Sequence, residues 1–177
     1  MNKLTITAAL VATIFATTAA VASNNVFLSE DYTSPGVYET QVGVAVPTKV
    51  GKFDGALLFV NNRNDVAKSS DQGYEVGYSL GYKVSNIQLS GRASFGGYTG
   101  STNFYTLGAE AAYPVNKTFG VYTAYRHRNG ESVSQNRYSA GVEANLTKTV
   151  KTRLAYNYTR AAEEGFNGVT GTVALQF

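Results

Sequence analysis

Cysteine and tryptophan are absent from the 177-residue chain, which has only three prolines and one histidine. Without cysteine no disulfide can hold the fold, so the chain must be stabilised by a core or by a closed hydrogen-bonded sheet. One histidine and no cysteine also exclude a typical nitrogen and sulfur metal site, and the sequence predicts neither a metal nor a cofactor. The formal net charge of +3 is too small to indicate nucleic-acid binding.

A long uncharged run occurs only at the start of the chain. Lys3 gives a positive start, residues 4–21 carry no charge, and Ala20-Val21-Ala22 has the small-x-small pattern of a cleavage site. This pattern predicts a signal peptide over 1–22 and a single mature domain over 23–177. A membrane anchor is the alternative, because the run is about long enough to span a bilayer, but it ends in small residues without a basic stop.

The rest of the chain alternates apolar and polar residues with a period of two, as in segments 74–82, 87–95 and 105–113. This period predicts β-strands with one apolar, aromatic face and one polar face. The polar face carries Gly, Ser, Ala and scattered single charges rather than many long Lys and Glu side chains. It therefore favours a membrane barrel with a polar interior over a soluble β-sandwich.

The alternation predicts an all-β, closed, antiparallel, up-and-down transmembrane barrel. Nine strands follow from the pattern, at 37–46, 53–62, 72–82, 86–95, 103–113, 118–128, 137–146, 150–160 and 168–177. Single-chain bacterial barrels usually have an even number of strands, so residues 25–32 are interpreted as a tenth, although Glu30 interrupts their apolar face. The alternative is eight strands, with part of 24–62 acting as a plug or a periplasmic strap.

Loop lengths predict the direction of the barrel. The predicted connections alternate in length along the chain. Four are longer, at 63–71, 96–102, 129–136 and 161–167, and four are shorter, at 47–52, 83–85, 114–117 and 147–149. Long loops face outside in such barrels. With this direction the aromatic residues form two girdles at the membrane interfaces. The outer girdle has Tyr74, Phe95, Tyr105, Tyr125, Tyr138 and Tyr158, and the periplasmic girdle has Tyr82, Tyr113, Phe119 and Phe177.

Two segments resemble a known superfamily. Residues 171–177, Gly-Thr-Val-Ala-Leu-Gln-Phe, resemble the signal read by the outer-membrane insertion machinery, and 138–158 is similar to the penultimate hairpin of small barrels of the opacity, OmpA and OmpX type. The resemblance implies an integral protein of a Gram-negative outer membrane, with lipid and the insertion machinery as partners. It implies no single activity, because that superfamily includes adhesins, narrow channels, structural barrels and enzymes.

The charges predicted to line the lumen are nearly balanced, and they are Glu39, Asp54, Glu75, Arg92, Glu110, Arg126, Glu143, Lys151 and Arg153. Charges inside a narrow barrel must pair or be hydrated. They predict either a salt-bridge network that plugs the lumen or a narrow, weakly selective pore for small solutes. Arg126, Lys151 and Arg153 are expected on neighbouring strands, as a basic strip that attracts anionic solutes.

A second set of basic residues is predicted at the outer rim, where lipopolysaccharide phosphates would meet them: Arg63, Lys68, Arg128, Arg137 and Arg160. Ordinary solvated loop ends are the alternative. Small outward residues such as Gly91 and Ala109 permit close packing of a second copy in lipid. They leave both a homo-oligomer and plain lipid exposure open.

The sequence predicts a non-enzymatic barrel, either a narrow porin-like channel or a structural barrel with a charged interior. A surface protein that binds lipopolysaccharide or envelope partners is the first alternative. A lipid-modifying enzyme is the second, because His127 is predicted to face lipid. Ser132 and Ser134 follow it without a His-x-Ser spacing, and no residue is predicted to be catalytic.

Overall fold

The computed structural model describes residues 24–34, 36–63, 69–99, 103–131 and 133–177. The predicted signal peptide at 1–22 lies outside the described residues, as do Lys68 and Ser132. Within the described ranges, no helix is long and apolar enough to cross a membrane.

Ten β-strands follow one another along the chain. They are β1 (Asn25–Thr33), β2 (Val37–Pro47), β3 (Lys52–Asn62), β4 (Ser69–Val84), β5 (Ile87–Tyr98), β6 (Asn103–Pro114), β7 (Phe119–Gly130), β8 (Ser134–Asn145), β9 (Val150–Ala161) and β10 (Glu164–Gln176). All neighbours are antiparallel, and β1 pairs with β10, so the sheet closes into a barrel. Closure leaves no strand edge unpaired.

The prediction of an all-β, ten-stranded closed barrel is confirmed, and the eight-stranded alternative is wrong. Residues 25–33 pair with β10 from Asn25↔Gln176 to Thr33↔Gly168, and with β2 along the same length. Residues 24–62 therefore complete the wall and do not supply a plug or a strap. Glu30, which interrupts the apolar pattern, lies on the exposed face, where its carboxylate accepts a hydrogen bond from Thr40 Oγ1 at 2.8 Å.

The barrel has two ends. The terminal end carries Asn24, Phe177 and the four turns at 48–51, 85–86, 115–118 and 146–149. At the distal end β1, β3, β5 and β7 finish, β2, β4, β6 and β8 begin, and the turn at 162–163 joins β9 to β10.

Two predicted long loops are wrong. The predicted loop 161–167 is a two-residue turn, because β9 and β10 pair up to Ala161↔Glu164, and most of 129–136 belongs to β7 and β8. Ala162, in that turn, has a φ of 52°, which suits a tight hairpin. These two connections consequently give no support to the direction predicted from loop length.

The side chains alternate between the outside and the inside of the barrel. The outside is apolar, with large exposed side chains such as Leu80, which is 55% exposed. The inside is mostly polar, and Leu58 and Phe104 are the large apolar residues buried there. This arrangement reverses that of a soluble protein, where large apolar patches are rarely exposed.

Candidate functional site: the charged interior

The interior charges of the central and distal parts of the barrel are separated by sign around the wall. Acids come from four consecutive strands, with Asp31 on β1, Glu39 on β2, Asp54 on β3 and Glu75 on β4. Arginines come from the facing strands, and these are Arg92 on β5, Arg126 and Arg128 on β7, and Arg137 on β8. The ion pairs described next therefore run partly across the lumen, as between Arg128 and Glu39, and partly between neighbouring strands, as between Arg92 and Glu75.

Arg128 is the centre of this interior and is only 2% exposed. Its Nη1 lies 3.3 Å from Glu39 Oε2, and its Nη2 lies 3.1 Å from Glu75 Oε2. Nη1 also donates to the Tyr98 hydroxyl at 2.7 Å, and the guanidinium carbon lies 4.4 Å from the Phe104 ring centroid. A guanidinium with two carboxylate partners and an aromatic ring is fixed in one position.

Arg92 continues the same network toward β3. Its Nη1 donates to Glu75 Oε1 at 2.5 Å, and its Nη2 donates to Asp54 Oδ2 at 2.5 Å. Gly77 makes room for it, because a Cβ at that position would lie 2.7 Å from Arg92 Nη2. One chain of contacts thus links Glu39, Arg128, Glu75, Arg92 and Asp54; these five residues are called the central network.

Asp31 and Arg137 form a separate pair near the distal end. The two side chains make a salt bridge, and both are mostly buried. Thr170 Oγ1 donates to Asp31 Oδ1 at 2.9 Å, and Asn157 Nδ2 donates to Thr170 Oγ1 at 2.6 Å. This pair fastens β1 to β8 across β9 and β10.

A second network lies nearer the terminal end. Arg153 Nη2 lies 2.7 Å from Glu110 Oε1 and 2.9 Å from Glu143 Oε2, and Lys151 Nζ lies 2.8 Å from the same Glu143 oxygen. The Arg153 guanidinium lies over the Tyr122 ring at 4.4 Å from its centroid. These charges are more exposed than the central network, with 29% of the Arg153 side chain accessible.

The interior holds two cavities. The cavity toward the terminal end has a volume of about 830 Å³ and is lined by Asp54, Arg92, Arg126 and Arg153 among others. The cavity toward the distal end has a volume of about 500 Å³ and reaches Glu39 and Arg128. The two linings share no residue, since the central network and the buried side chains of Leu58 and Phe104 separate them. We call this layer the septum.

Three buried polar atoms at the septum have no hydrogen-bond partner among the described residues. They are Thr106 Oγ1, Arg126 Nη2 and Arg128 Nε. Thr106 is the cross-strand neighbour of Arg128, and Arg126 is the neighbour of Gly108 on the same two strands. Thr106 and Arg126 both line the larger cavity. A buried donor without a partner costs about 1–3 kcal/mol. A hydrogen-bond acceptor that reaches Arg126 Nη2 from the larger cavity would remove this cost and would therefore be bound there.

The structure places the predicted lumen residues as follows. Glu39, Asp54, Glu75 and Arg92 meet in the central network; Glu110, Glu143, Lys151 and Arg153 meet in the second network; and Arg126 faces the larger cavity. The predicted basic strip is wrong, because β8 separates Arg126 on β7 from Lys151 and Arg153 on β9. Lys151 and Arg153 are moreover neutralised by Glu143.

Two predicted outer-rim residues point inward. Arg128 and Arg137 are ion-paired inside the barrel, with Glu39 and Asp31 respectively. Arg63 and Arg160 are exposed at the distal end, and Lys68 lies outside the described residues. The sequence reasoning missed Asp31 and Tyr98 as interior partners. The alternation itself contains the signal. Arg128 lies two residues from Arg126 on β7, and Tyr98 lies an even number of residues from Arg92 on β5, so each shares the inward face.

The ten predicted girdle residues are all exposed on the outside of the barrel, and they are Tyr74, Tyr82, Phe95, Tyr105, Tyr113, Phe119, Tyr125, Tyr138, Tyr158 and Phe177. His127 also faces outward, with its Nδ1 at 2.9 Å from Asn136 Oδ1. In the part of the chain that the structure describes, no group of three or more His, Cys, Asp or Glu residues could hold a metal ion.

No protein-family model matches the chain, and no curated protein matches it. Solved structures do share its fold. The KdgM porin is similar with a TM-score of 0.58, at 10% identity, over 86% of this chain and 99% of that one. The same porin in complex with disordered oligogalacturonate gives a TM-score of 0.52 at 13% identity over 86% and 99% of the two chains. The NanC porin gives 0.52 at 11% identity over 86% and 100%.

At these low identities, the structural similarity shows a shared barrel fold. The resemblance to the opacity, OmpA and OmpX type stays a prediction.

Proposed function

We propose that this protein is an integral outer-membrane barrel that acts as a narrow, porin-like channel for small solutes. The observation that carries the proposal is the inverted distribution of polarity, with exposed aromatic and aliphatic side chains outside and ion-paired charges around two cavities inside. An apolar outer wall is stable only against lipid or another apolar partner. The fold similarity to the KdgM and NanC porins supports the same function.

The septum makes the channel narrow. A ten-stranded barrel is close to the size at which side chains fill the lumen, and here Arg128 and Phe104 fill it between the cavities. Passage requires Arg128 to leave Glu39 or Glu75, and breaking a buried, two-carboxylate contact is costly. We therefore expect small and infrequent conductance from the native protein.

Small anions are the solutes that we propose for the channel. The interior acids and bases are balanced overall, but Arg126 has no carboxylate within hydrogen-bonding distance among the described residues, and its Nη2 is buried beside the larger cavity. A carboxylate is the partner that a guanidinium binds best. The KdgM porin is seen with oligogalacturonate, an acidic sugar, and this supports carboxylates as the solute class for the present barrel.

The location is tested first. Folded protein extracted in detergent should migrate differently on a gel before and after heating, and it should fractionate with outer membranes. A protein that stays soluble without detergent would contradict the proposal.

Selectivity is tested with Arg126→Gln. In planar bilayers with a salt gradient, the native channel is expected to favour chloride weakly, and the variant should shift the reversal potential toward cation preference. Arg63→Gln is the control for charge alone, because Arg63 is exposed at the distal end and lines neither cavity. An equal shift in both variants would remove Arg126 as the anion site.

A plugged, structural barrel is the second candidate, and the septum is the observation that favours it. A plugged barrel predicts that the native folded protein gives no conductance steps, and that steps appear only after the septum is opened by substitution. We propose no enzymatic activity, because the hydrogen bond of His127 goes to Asn136, an amide side chain with no nucleophilic role.

A further inference from the structure

The outside of the barrel carries two rows of side chains on β7, β8 and β9 near the distal end. Three tyrosines are direct cross-strand neighbours, and one step closer to the distal end a second row follows on the same strands. We call these six residues the β7–β9 patch: Tyr125, Tyr138 and Tyr158 in the first row, and His127, Asn136 and Arg160 in the second.

The second row presents unused hydrogen-bond donors. Asn136 Oδ1 accepts from the Tyr125 hydroxyl at 2.7 Å and lies 2.9 Å from His127 Nδ1, so the amide oxygen is engaged and Asn136 Nδ2 stays available. Arg160 is exposed and has no ion pair within the described part of the chain. Asn136 and Arg160 are cross-strand partners, which brings the amide and the guanidinium next to each other.

The first row is amphipathic. The three tyrosine side chains are exposed, and the Tyr125 and Tyr138 rings pack with centroids 5.2 Å apart. Toward the terminal end the same strands expose Val142 and Leu154. The wall therefore changes within a few residues from aliphatic, through tyrosine, to polar and basic. A lipid with an anionic headgroup has this sequence of chemistry from its acyl chains to its phosphate.

We propose that the β7–β9 patch binds the phosphate of a phosphorylated lipid headgroup in the leaflet that surrounds the distal end. Arg160 and Asn136 donate to the phosphate oxygens, and the tyrosines contact the lipid below it. This inference rests on the proposed outer-membrane location, where lipopolysaccharide supplies such phosphates. Glu131 and Glu163 lie in the turns after β7 and β9, so the phosphate is expected below those turns and not beyond them.

Arg63 provides a matched control on the other side of the barrel. It is also an exposed arginine at the distal end, but its guanidinium lies over the Tyr38 ring, 5.2 Å from the centroid. Exposed amides of Asn61 and Gln72 lie on β3 and β4, but no histidine accompanies Arg63 among the described residues of these strands. A general attraction between arginine and anionic lipid would involve both residues equally, whereas the proposed site involves Arg160 alone.

The single histidine of the chain makes the site observable. The full barrel, folded in detergent without a histidine tag and labelled with ¹³C-histidine, gives one imidazole signal, that of His127. Titration with bis-phosphorylated lipid A is expected to shift this signal saturably. Arg160→Gln should weaken the affinity by about tenfold, the loss expected for a charge-assisted contact, and Arg63→Gln should leave it unchanged.

Two further titrations identify the occupant. Dephosphorylated lipid A is expected to leave the signal in place, and inorganic phosphate alone should bind far more weakly than the lipid. If inorganic phosphate binds as tightly as phosphorylated lipid A, the site is assigned to a free anion and the proposed lipid ligand is wrong. If dephosphorylated lipid A binds as tightly as the phosphorylated form, the proposed phosphate contact is wrong.

Heat-modifiable migration of each variant shows that the barrel is folded. Two results from a folded, detergent-dependent barrel would contradict the site: the His127 signal does not respond, or it responds equally in the Arg160 and Arg63 variants. Either result overturns the proposed phosphate site and leaves the channel proposal intact. A chain that is soluble without detergent overturns the proposed location itself.

Discussion

Arg126 lies directly opposite Arg137 on the inner face of the β7–β8 pair, and only Arg137 has a carboxylate within ion-pair distance, that of Asp31. Like charges in this cross-strand position destabilise a sheet. The Asp31 salt bridge offsets the repulsion at Arg137, while Arg126 depends on Glu39 and Glu75 at longer range. The acids of β1 to β4 are thus needed for the arginines of β5 to β8 to share one wall.

Asp31→Asn tests this dependence. The substitution leaves Arg137 without its carboxylate beside Arg126, so the free energy of unfolding should fall by about 3 kcal/mol, as for other broken buried pairs. Urea unfolding of the barrel in lipid vesicles measures it. The double variant Asp31→Asn/Arg137→Gln, which removes the stranded charge as well, should recover part of the loss. Unchanged stability of the single variant would contradict the account.

Gly77→Ala tests the packing of the central network. A Cβ at this position would lie 2.7 Å from Arg92 Nη2 and 2.9 Å from Ser94 Cβ, so Arg92 must move away from Asp54. We expect a loss of about 1–3 kcal/mol in unfolding free energy, the usual cost of overpacking. Gly171→Ala is the control, because nothing lies within 4 Å of a Cβ there. Equal effects at both positions would exclude this explanation.

Phe177→Ala tests the proposed recognition by the outer-membrane insertion machinery. The Phe177 side chain is exposed, while its backbone N–H donates to Asn24 O at 2.9 Å and survives the substitution. The amount of folded barrel in cells should therefore fall, while the purified protein unfolds at the same urea concentration as the native one. Phe119→Ala removes another exposed aromatic ring from the terminal end; an equal loss in cells would indicate a general girdle effect.

The strands could be predicted from the sequence because the face of each residue follows from its immediate neighbours, as in 74–82 and 105–113. The turn at 162–163 could not, because Ala162 adopts a positive φ that alanine rarely takes and no Gly or Asn marks it. β1 was the weakest prediction, since Glu30 interrupts its apolar face and its pairing with β10 depends on closure of the whole barrel.

The residues of the interior could be predicted better than their partners. Parity places Glu39, Glu75 and Arg92 inside. Arg128 and Arg137 are predicted at the rim because the pattern ends one strand at 128 and begins the next at 137, whereas β7 continues to Gly130 and β8 begins at Ser134. The pairing of Arg137 with Asp31 joins residues far apart in the chain. Such pairs depend on the stagger of the closed barrel, which no local pattern contains.

Single-channel conductance of the native barrel and of two septum variants tests the channel most directly. Arg128→Ala and Phe104→Ala each remove a buried side chain from the layer between the two cavities, one charged and one apolar, so a folding defect in one leaves the other informative. The account predicts rare, small steps from the native protein and larger, more frequent steps from both variants, with Arg160→Gln unchanged. A native folded protein that gives no steps, whether or not the variants conduct, would contradict the channel and leave a plugged, structural barrel.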